Sequence, residues 1–336
     1  MAVVVSPDFY YERAVLITGA TGFIGRRLVA VLRARGAHLR VMTRSSSVLP
    51  ADWQGVEIVF GDLADPASLA RACSGANTVF HVAGFAHADA DGVADFSARH
   101  WAVNFEGSVR LFIAAAAARV ERLVFLSTVK AVADPGSHCV DECWDMQPQT
   151  PYGCAKRAAE ERLTALGHEH GFHTVNLRPA LVYGPGMKAN LARLIAAARR
   201  GWLPPLPETG NRRSLVHVDD VVQAMLLGAA HPVAAGKTYF VTDGQPYSGR
   251  ELSLILRETL GRPLISYTVP AKAIYSIAAL ADGLLRLAGR ADRKVHAMVD
   301  KLLGWACYDS SRIEVELGYR PAWTLVRYCK ESGLQG

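Results

Sequence analysis

The feature that most constrains the fold is a glycine-rich segment, TGATGFIG at 18–25, between an apolar run and a helical pattern. The apolar run, AVLIT at 14–18, is typical of a strand buried on both faces, and apolar residues then recur at helical spacing over 23–35. Glycines at such a junction let the backbone turn tightly and approach a pyrophosphate, whose charge the helix N-terminus stabilises. The segment therefore predicts a dinucleotide-binding βα unit, with a plain strand–helix turn as the alternative.

Strands and helices alternate through the first half of the chain. Short apolar strands are predicted at 39–43, 57–60, 78–82, 123–127 and 174–177, with helices between them around 66–73, 103–119 and 152–171. This alternation predicts a doubly wound α/β fold, in which a parallel sheet carries helices on both faces. Later strands are short and helices dominate. We therefore predict a Rossmann-type dinucleotide-binding domain over 12–180 and a smaller, mainly helical substrate-binding part over 181–336, from which some strands and helices return to the sheet.

Composition and charge exclude several classes of protein. The chain of 336 residues is 50% hydrophobic and 20% charged, which excludes an intrinsically disordered chain. Its net charge of +6 suits an anionic ligand but is too dispersed to indicate nucleic acid. The first residues lack the basic region of a signal peptide, and charges interrupt the most apolar stretch, 271–287. We therefore predict a cytoplasmic protein with no integral membrane segment.

Six cysteines are scattered along the chain without a CxxC pair, and the chain has no His-x-x-x-His motif. We therefore predict no metal site. In the absence of a secretory signal, we also expect the thiols to be reduced.

The end of the second strand bears on the type of dinucleotide. An acidic side chain there usually binds the hydroxyls of the adenosine ribose, whereas an arginine suits a 2′-phosphate. The strand runs into Arg44 with no acid in place, so NADP(H) is favoured over NAD(H). An Arg44 that stacks on adenine or faces solvent is the alternative. Asp62 and Leu63, after the third strand, are candidates to contact the adenine, and Ala83-Gly84 after the fourth leaves room for the cofactor.

Tyr152 and Lys156 lie one helical turn apart and so share a helix face. A tyrosine with an ordinary pKa of about 10 is a poor acid–base at neutral pH, but a nearby ammonium favours its phenolate. Ser127 and Thr128 end the fifth strand, at the sheet edge where ligands bind. Together these residues predict proton transfer at a substrate alcohol or carbonyl.

In these motifs the chain resembles the extended short-chain dehydrogenases/reductases of the nucleotide-sugar epimerase/dehydratase group. The matching segments are 18–25, 61–63, 81–84, 103–107, 125–128, 152–156 and 178–185. The resemblance implies that Thr128, Tyr152 and Lys156 are catalytic, with Thr128 rather than Ser127 as the hydroxyl. It also implies a cofactor site made of Gly19, Thr21, Gly22, Phe23, Ile24, Gly25, Arg44, Asp62, Leu63, Ala83, Gly84, Asn104, Tyr152, Lys156 and Pro179. Val129-Lys130 replaces the Asp-Glu pair of the 4,6-dehydratases, which argues against dehydration.

The resemblance extends to the substrate. Asn190 and Arg213 match positions that contact a diphosphate in sugar-nucleotide enzymes, and a guanidinium presents donors suited to phosphate oxygens. A solvated turn, with Arg213 paired to Asp219 or Asp220, is the alternative. The resemblance thus implies a homodimeric 4-epimerase or 4-keto reductase, acting at C4 of a UDP-linked hexose in surface-polysaccharide biosynthesis. A reductase of hydrophobic 3-oxo or 3-hydroxy substrates, similar to hydroxysteroid enzymes, is the alternative, followed by a non-catalytic NAD(P)-sensing protein.

One apolar helix is predicted at 271–287. Its large apolar residues recur at helical spacing, which favours burial within the substrate-binding part or an oligomer; they are Ile274, Ile277, Leu280, Leu284 and Leu287. Basic residues at 286, 290, 293 and 294 leave a helix lying on a membrane surface as the alternative.

Overall fold

The computed structural model describes residues 6, 8–44, 49–86, 94–187, 190–201, 206–263, 267, 269–287 and 295–331. Its strands are β1 (Ala14–Thr18), β2 (His38–Thr43), β3 (Glu57–Phe60), β4 (Thr78–His81), β5 (Arg122–Leu126), β6 (Cys139–Val140), β7 (His173–Pro179), β8 (Leu181–Tyr183), β9 (Arg213–His217), β10 (Lys237–Val241), β11 (Pro246–Tyr247) and β12 (Cys307–Tyr308). Seven of these strands form one parallel sheet in the order β10-β7-β5-β4-β1-β2-β3.

The α-helices are α1 (Phe23–Ala34), α2 (Pro66–Cys73), α3 (Ala94–His100), α4 (Ser108–Ala117), α5 (Pro151–His170), α6 (Asn190–Arg199), α7 (Val218–Ala230), α8 (Gly249–Thr259), α9 (Ala271–Leu287), α10 (Val295–Leu303), α11 (Ser311–Leu317) and α12 (Leu325–Glu331). Neighbouring residues of a central strand enter different cores: Leu16 packs with α2, α4 and α5, whereas Ile17 packs with α1 and α7. Because side chains alternate along a strand, each continuous apolar run serves both faces of the sheet. The predicted doubly wound α/β fold is confirmed.

The strands are added to the sheet on opposite sides of β1: β2 and β3 lie on one side, and β4 and the later strands lie on the other. In open parallel sheets this arrangement leaves a crevice at the carboxyl ends of the strands, and ligands bind there. The glycine segment follows β1, and Ala83-Gly84 follows β4. The fold therefore brings the two glycine-containing loops to the same edge.

The second half of the chain builds a separate core around a small sheet of β11, β9 and β8. Helices α6, α8, α9, α10 and α12 contribute to this core. Helix α8 begins with the predicted capping box: Glu251 N donates to Ser248 Oγ (3.1 Å), and Ser248 N donates to the Glu251 carboxylate (2.6 Å). Strand β10 returns to pair with β7. The domain boundary near residue 180 stays a prediction.

The helix predicted at 103–119 differs from the observed one. A π-helical segment, Trp101–Gly107, joins α3 to α4 and contains the buried Asn104. Apolar periodicity in the sequence does not reveal an inserted residue of this kind, and such segments are frequent at functional sites.

The expectation of reduced thiols is wrong for two cysteines. Cys139 and Cys307 form a disulfide across the paired strands β6 and β12, although 168 positions separate them in the sequence. Their Cα atoms lie 4.5 Å apart, within the range that a disulfide spans. Sequence spacing alone does not reveal pairs this distant.

The expectation that the chain buries the apolar face of α9 is also wrong for most residues of that face. Ile274 is buried, but Ile277, Leu280, Leu284 and Leu287 are each more than half exposed. Among the described residues, no helix is long and apolar enough to cross a membrane.

Candidate active site

The glycine segment encloses a space, which we call the cradle, that a side chain at Gly19 or Gly25 would fill. Gly19 has a φ of +70°, and a Cβ there would lie 2.5 Å from the backbone nitrogen of Ala83. A Cβ on Gly25 would lie 2.2 Å from the carbonyl oxygen of Gly19. Gly22 caps α1 without a side-chain hydrogen bond, and no acid occupies the first turn. The cradle thus presents backbone N–H groups and a helix N-terminus that fit a pyrophosphate, while Thr21, Phe23 and Ile24 complete the loop and the first turn.

A buried hydrogen-bond chain connects the ends of β1 and β4. His81 contacts Thr18 Oγ1 through Nδ1 (2.6 Å) and Ser108 Oγ through Nε2 (2.9 Å), and Ser108 donates to the Asn104 carbonyl (2.8 Å). Because that donation uses the Ser108 proton, Nε2 of His81 must donate and Nδ1 accept from Thr18. Burial lowers the pKa of His81 well below its usual value, so the ring is neutral. The sequence reading assigned His81 no role, and we assign it positioning of the crevice.

Asn104 supports the loop after β4. Its side chain accepts from the Phe85 backbone N–H (2.8 Å) and donates to the Phe85 carbonyl (2.9 Å). A Cβ on Gly84 would lie 3.1 Å from Asn104 Oδ1 and 3.5 Å from Lys156 Nζ. The loop, Asn104 and Lys156 therefore meet at the crevice edge.

Thr128 and Tyr152 are brought together by a close approach of two backbones. A Cβ on Gly153 would lie 2.2 Å from the carbonyl oxygen of Lys130, so glycine lets α5 reach the 3₁₀ turn Val129–Ala131. The Tyr152 side chain is half-buried and places its hydroxyl beside that of Thr128. Burial raises the pKa of Tyr152 to about 12, and the Thr128 hydrogen bond partly opposes this. In this form Tyr152 therefore carries its proton at neutral pH.

Lys156 is buried beneath the end of β5. Its ammonium donates to the Leu126 carbonyl (2.9 Å) and lies 4.3 Å from the centre of the Phe125 ring. Burial lowers the pKa of Lys156 to about 7, and the charge of Glu160 opposes this.

Next to Thr128, the buried Ser127 hydroxyl has no hydrogen-bond partner within the described part of the chain. A buried polar atom without a partner is costly, so this hydroxyl is a candidate to bind a ligand at the end of β5. Sequence reasoning placed Ser127 at the strand end but set it aside in favour of Thr128.

The remaining cofactor candidates line the same edge with different exposure. Arg44 is exposed directly after β2, and Leu63 is half-buried against Gly107. Asp62 is exposed, and its carboxylate accepts from the Ala64 backbone N–H (2.8 Å). Pro179 is buried at the end of β7.

Arg213 lines a cavity that is also lined by Lys130, which follows Thr128 by two residues. The cavity measures about 600 Å³, and its charged lining residues are Lys130, Asp134, Arg213 and Asp300. Arg213 is half-buried and donates to the Gly304 carbonyl (3.0 Å). Its pairing with Asp219 is not observed, because Arg27 binds that carboxylate (Nη2 to Oδ2, 3.0 Å). Asn190 begins α6, but its side chain lies outside the described part of the structure.

A buried ion pair that sequence reasoning missed lies behind α5. Arg178 on β7 donates three hydrogen bonds of 2.5–3.1 Å to the carboxylate of Glu160 on α5. Both side chains are at most 5% exposed. The pair fixes α5, and with it Tyr152 and Lys156, against the sheet.

Comparison with known proteins agrees with this geometry. Residues 15–241 match the model of the NAD dependent epimerase/dehydratase family. The chain is 31% identical to a UDP-glucose 4-epimerase of Vibrio cholerae, over 97% of this chain and 96% of the relative. It is 32% identical to a 2-alkyl-3-oxoalkanoate reductase of Stenotrophomonas maltophilia, over 82% of this chain and 85% of the relative.

A solved structure is similar over almost the whole chain. The structure of MoeE5 in complex with UDP-glucuronic acid and NAD is 26% identical, with a TM-score of 0.73, over 94% of this chain and 96% of that one. The family match covers both glycine loops, the Tyr152–Lys156 helix and the last strand of the large sheet. On this evidence the chain belongs to the NAD-dependent epimerase/dehydratase family, within the extended short-chain dehydrogenases/reductases.

Proposed function

We propose that the protein is an NAD(P)-dependent enzyme acting at C4 of a nucleotide-linked hexose, with UDP as the nucleotide, as a 4-keto reductase or 4-epimerase in surface-polysaccharide biosynthesis. The observation that carries the proposal is the cavity lined by Arg213 and by Lys130, which follows Thr128 by two residues. An arginine that lines this cavity together with Lys130 suits a diphosphate attached to the reacting sugar. Similarity to a UDP-glucose 4-epimerase over nearly the whole chain supports it.

The cradle of Gly19, Gly22 and Gly25 would hold the pyrophosphate of the dinucleotide, and Lys156 its nicotinamide ribose. When bound, the nicotinamide exchanges hydride with a substrate carbon. Tyr152 holds a proton that it gives to the carbonyl oxygen at C4 during reduction, and the adjacent Thr128 hydroxyl would donate a hydrogen bond to the same oxygen. Arg44, which stands after β2 where an acid would suit NAD, favours NADP(H) and with it the 4-keto reductase.

The direct test is a panel of UDP-, GDP- and dTDP-linked hexoses and 4-keto hexoses, with and without NADPH, followed by NMR of the products. A 4-keto reductase consumes one NADPH per sugar, whereas a 4-epimerase inverts C4 without net consumption. If neither product forms from any nucleotide sugar, the proposal is wrong.

Replacing Arg213 with alanine tests the diphosphate contact. A hydrogen bond to a charged group contributes about 1.5–3 kcal/mol, so the apparent KM should rise by about ten- to a hundredfold. Turnover should change less, because the diphosphate is bound similarly in the ground and transition states. Steady-state kinetics with UDP as competitor provide the measurement: UDP should inhibit the native protein and much less the variant.

The neighbouring Arg212 supplies the matched control. Arg212 directly precedes Arg213 but does not line the cavity, and it donates to the Asn211 carbonyl (3.0 Å). Arg212→Ala should leave both KM and UDP inhibition nearly unchanged. Equal effects of the two substitutions would contradict a specific role for Arg213.

Arg44 tests the choice of cofactor. If its exposed guanidinium binds a 2′-phosphate, NADPH should bind at least about tenfold tighter than NADH, the value of one charge-assisted contact. Arg44→Ala should remove the difference without weakening NADH binding, as measured by calorimetry. Equal affinities of the native protein for both cofactors would instead favour the 4-epimerase with NAD.

A second candidate, a reductase of hydrophobic 3-oxo substrates, is favoured by the similarity to the 2-alkyl-3-oxoalkanoate reductase. The same proton-transfer groups serve it, but it has no need of a diphosphate contact. If UDP does not bind and a 2-alkyl-3-oxo acid oxidises NADPH, this candidate replaces the first.

A further inference from the structure

Helix α9 has two apolar faces, and the chain buries only one of them. Ile274 and Ala278 pack into the second core with residues of α8 and α10. On another face, Ile277, Leu280, Leu284 and Leu287 form what we call the apolar stripe, and they are 63%, 67%, 59% and 88% exposed. Their spacing of three, four and three residues places all four side chains on one side of the helix.

Cationic side chains flank the apolar stripe. Lys272 near the start of α9 and Arg286 near its end are both exposed. Asp282 is the only acid in α9, and it accepts from the backbone N–H groups of Val295 (2.6 Å) and His296 (3.1 Å) at the start of α10. Its carboxylate is thus directed to α10 and away from the stripe. In the sequence alone, segment 288–294 contains three basic residues, Arg290, Arg293 and Lys294, and one acid.

The charges around the apolar stripe indicate which of two partners it binds, a second copy of the chain or an anionic lipid surface. A continuous exposed apolar patch of this kind is uncommon on monomeric proteins and marks an interaction site. A second copy packed on it about a two-fold axis would place the same cations, Lys272 and Arg286, in both halves of the interface, where they repel. A surface of anionic lipid phosphates attracts those cations and accepts the leucines and isoleucine between its acyl chains.

We propose that α9 binds the protein peripherally to an anionic membrane surface. The helix lies in the plane of the interface, with the apolar stripe at the boundary of headgroups and acyl chains and with Lys272 and Arg286 contacting lipid phosphates. The aliphatic stems of these two side chains lie along the apolar surface while their charges stay in the headgroup region. The proposal does not depend on the identity of the substrate.

Vesicle flotation of the full chain tests the proposal. The protein should float with vesicles of phosphatidylcholine containing about 30% phosphatidylglycerol, and at least about tenfold less with pure phosphatidylcholine. Leu280→Glu/Leu284→Glu should lower binding to the anionic vesicles at least about tenfold, because two apolar side chains no longer leave water. Lys272→Gln/Arg286→Gln should lower it by about tenfold through lost attraction to the lipid phosphates.

Val315 on α11 provides the matched control, because it is 84% exposed but lies on another helix. Val315→Glu should float like the native protein. Thermal melting by circular dichroism verifies the fold of each variant, and Leu287→Glu replaces the double variant if that one fails to fold.

Three outcomes would overturn the proposal. The native protein does not float with the anionic vesicles, or Leu280→Glu/Leu284→Glu floats as well as the native protein. In the third, light scattering shows a dimer that the double variant converts to a monomer without any vesicle binding in either form. The apolar stripe is then an interface between copies.

Discussion

Replacing Tyr152 with phenylalanine is expected to lower kcat by about 10²–10⁴-fold, the usual contribution of a positioned acid–base group. The substitution removes the hydroxyl that bonds to Thr128 but keeps the ring that packs against His100, with centroids 5.5 Å apart. The glycine cradle is untouched, so NADH and NADPH should bind nearly as they do to the native protein. The measurement is steady-state turnover of the sugar that the NMR panel identifies, with calorimetry for the cofactors.

Tyr11 supplies the comparison, because it is 63% exposed and lies before β1. Tyr11→Phe should leave turnover unchanged. Full activity of Tyr152→Phe would exclude Tyr152 as the proton carrier. Thr128→Ala should have a smaller effect on kcat, since it removes the orientation of the substrate oxygen but leaves the proton donor in place.

Breaking the buried ion pair behind α5 should have the largest effect on stability. Glu160→Gln leaves the Arg178 guanidinium buried without its counter-charge, and loss of one partner in such a pair typically costs about 3–5 kcal/mol. We expect a reduction of that order in the free energy of unfolding, measured by urea denaturation with the disulfide intact. The charge of Glu160 also raises the pKa of Lys156, so that pKa should fall below about 7 in the variant.

Glu169, in the last turn of the same helix, is the matched control. Its ion pair with Arg162 (2.9 Å) lies at the surface, with the two side chains 50% and 38% exposed. Surface pairs contribute about 0–1 kcal/mol, so Glu169→Gln should barely change the free energy of unfolding. A double substitution, Glu160→Leu with Arg178→Met, should recover much of the lost stability, because it removes both buried charges. If Glu160→Gln is as stable as the native protein, the pair does not fix α5.

Local patterns were sufficient to predict the large sheet. Strand β1 and helix α2 have the predicted bounds, because the apolar run and the Asp65 cap with Pro66 are signals within a few residues. The capping box of Ser248 and Glu251 is equally local. The strand order was not predicted, although right-handed crossovers leave few arrangements for such an alternation of strands and helices.

Features that depend on distant contacts were not predictable from the sequence. The π-helical segment around Asn104 is compatible with ordinary helical periodicity, so no pattern distinguishes it. The spacing of Leu280 and Leu284 shows that they share a helix face, but only the packing of α9 on α10 shows which face is left in water. Glu160 and Arg178 were recognisable as charged residues, yet their pairing requires α5 to lie on β7.

The Cys139–Cys307 disulfide restricts how the segments that line the cavity can move. The cavity lining includes Ser137, just before Cys139, and Gly304 and Trp305, just before Cys307. A covalent crosslink this close to both segments prevents them from separating. To admit a bulky ligand, the two segments must therefore rotate about the crosslink. They cannot move apart by translation.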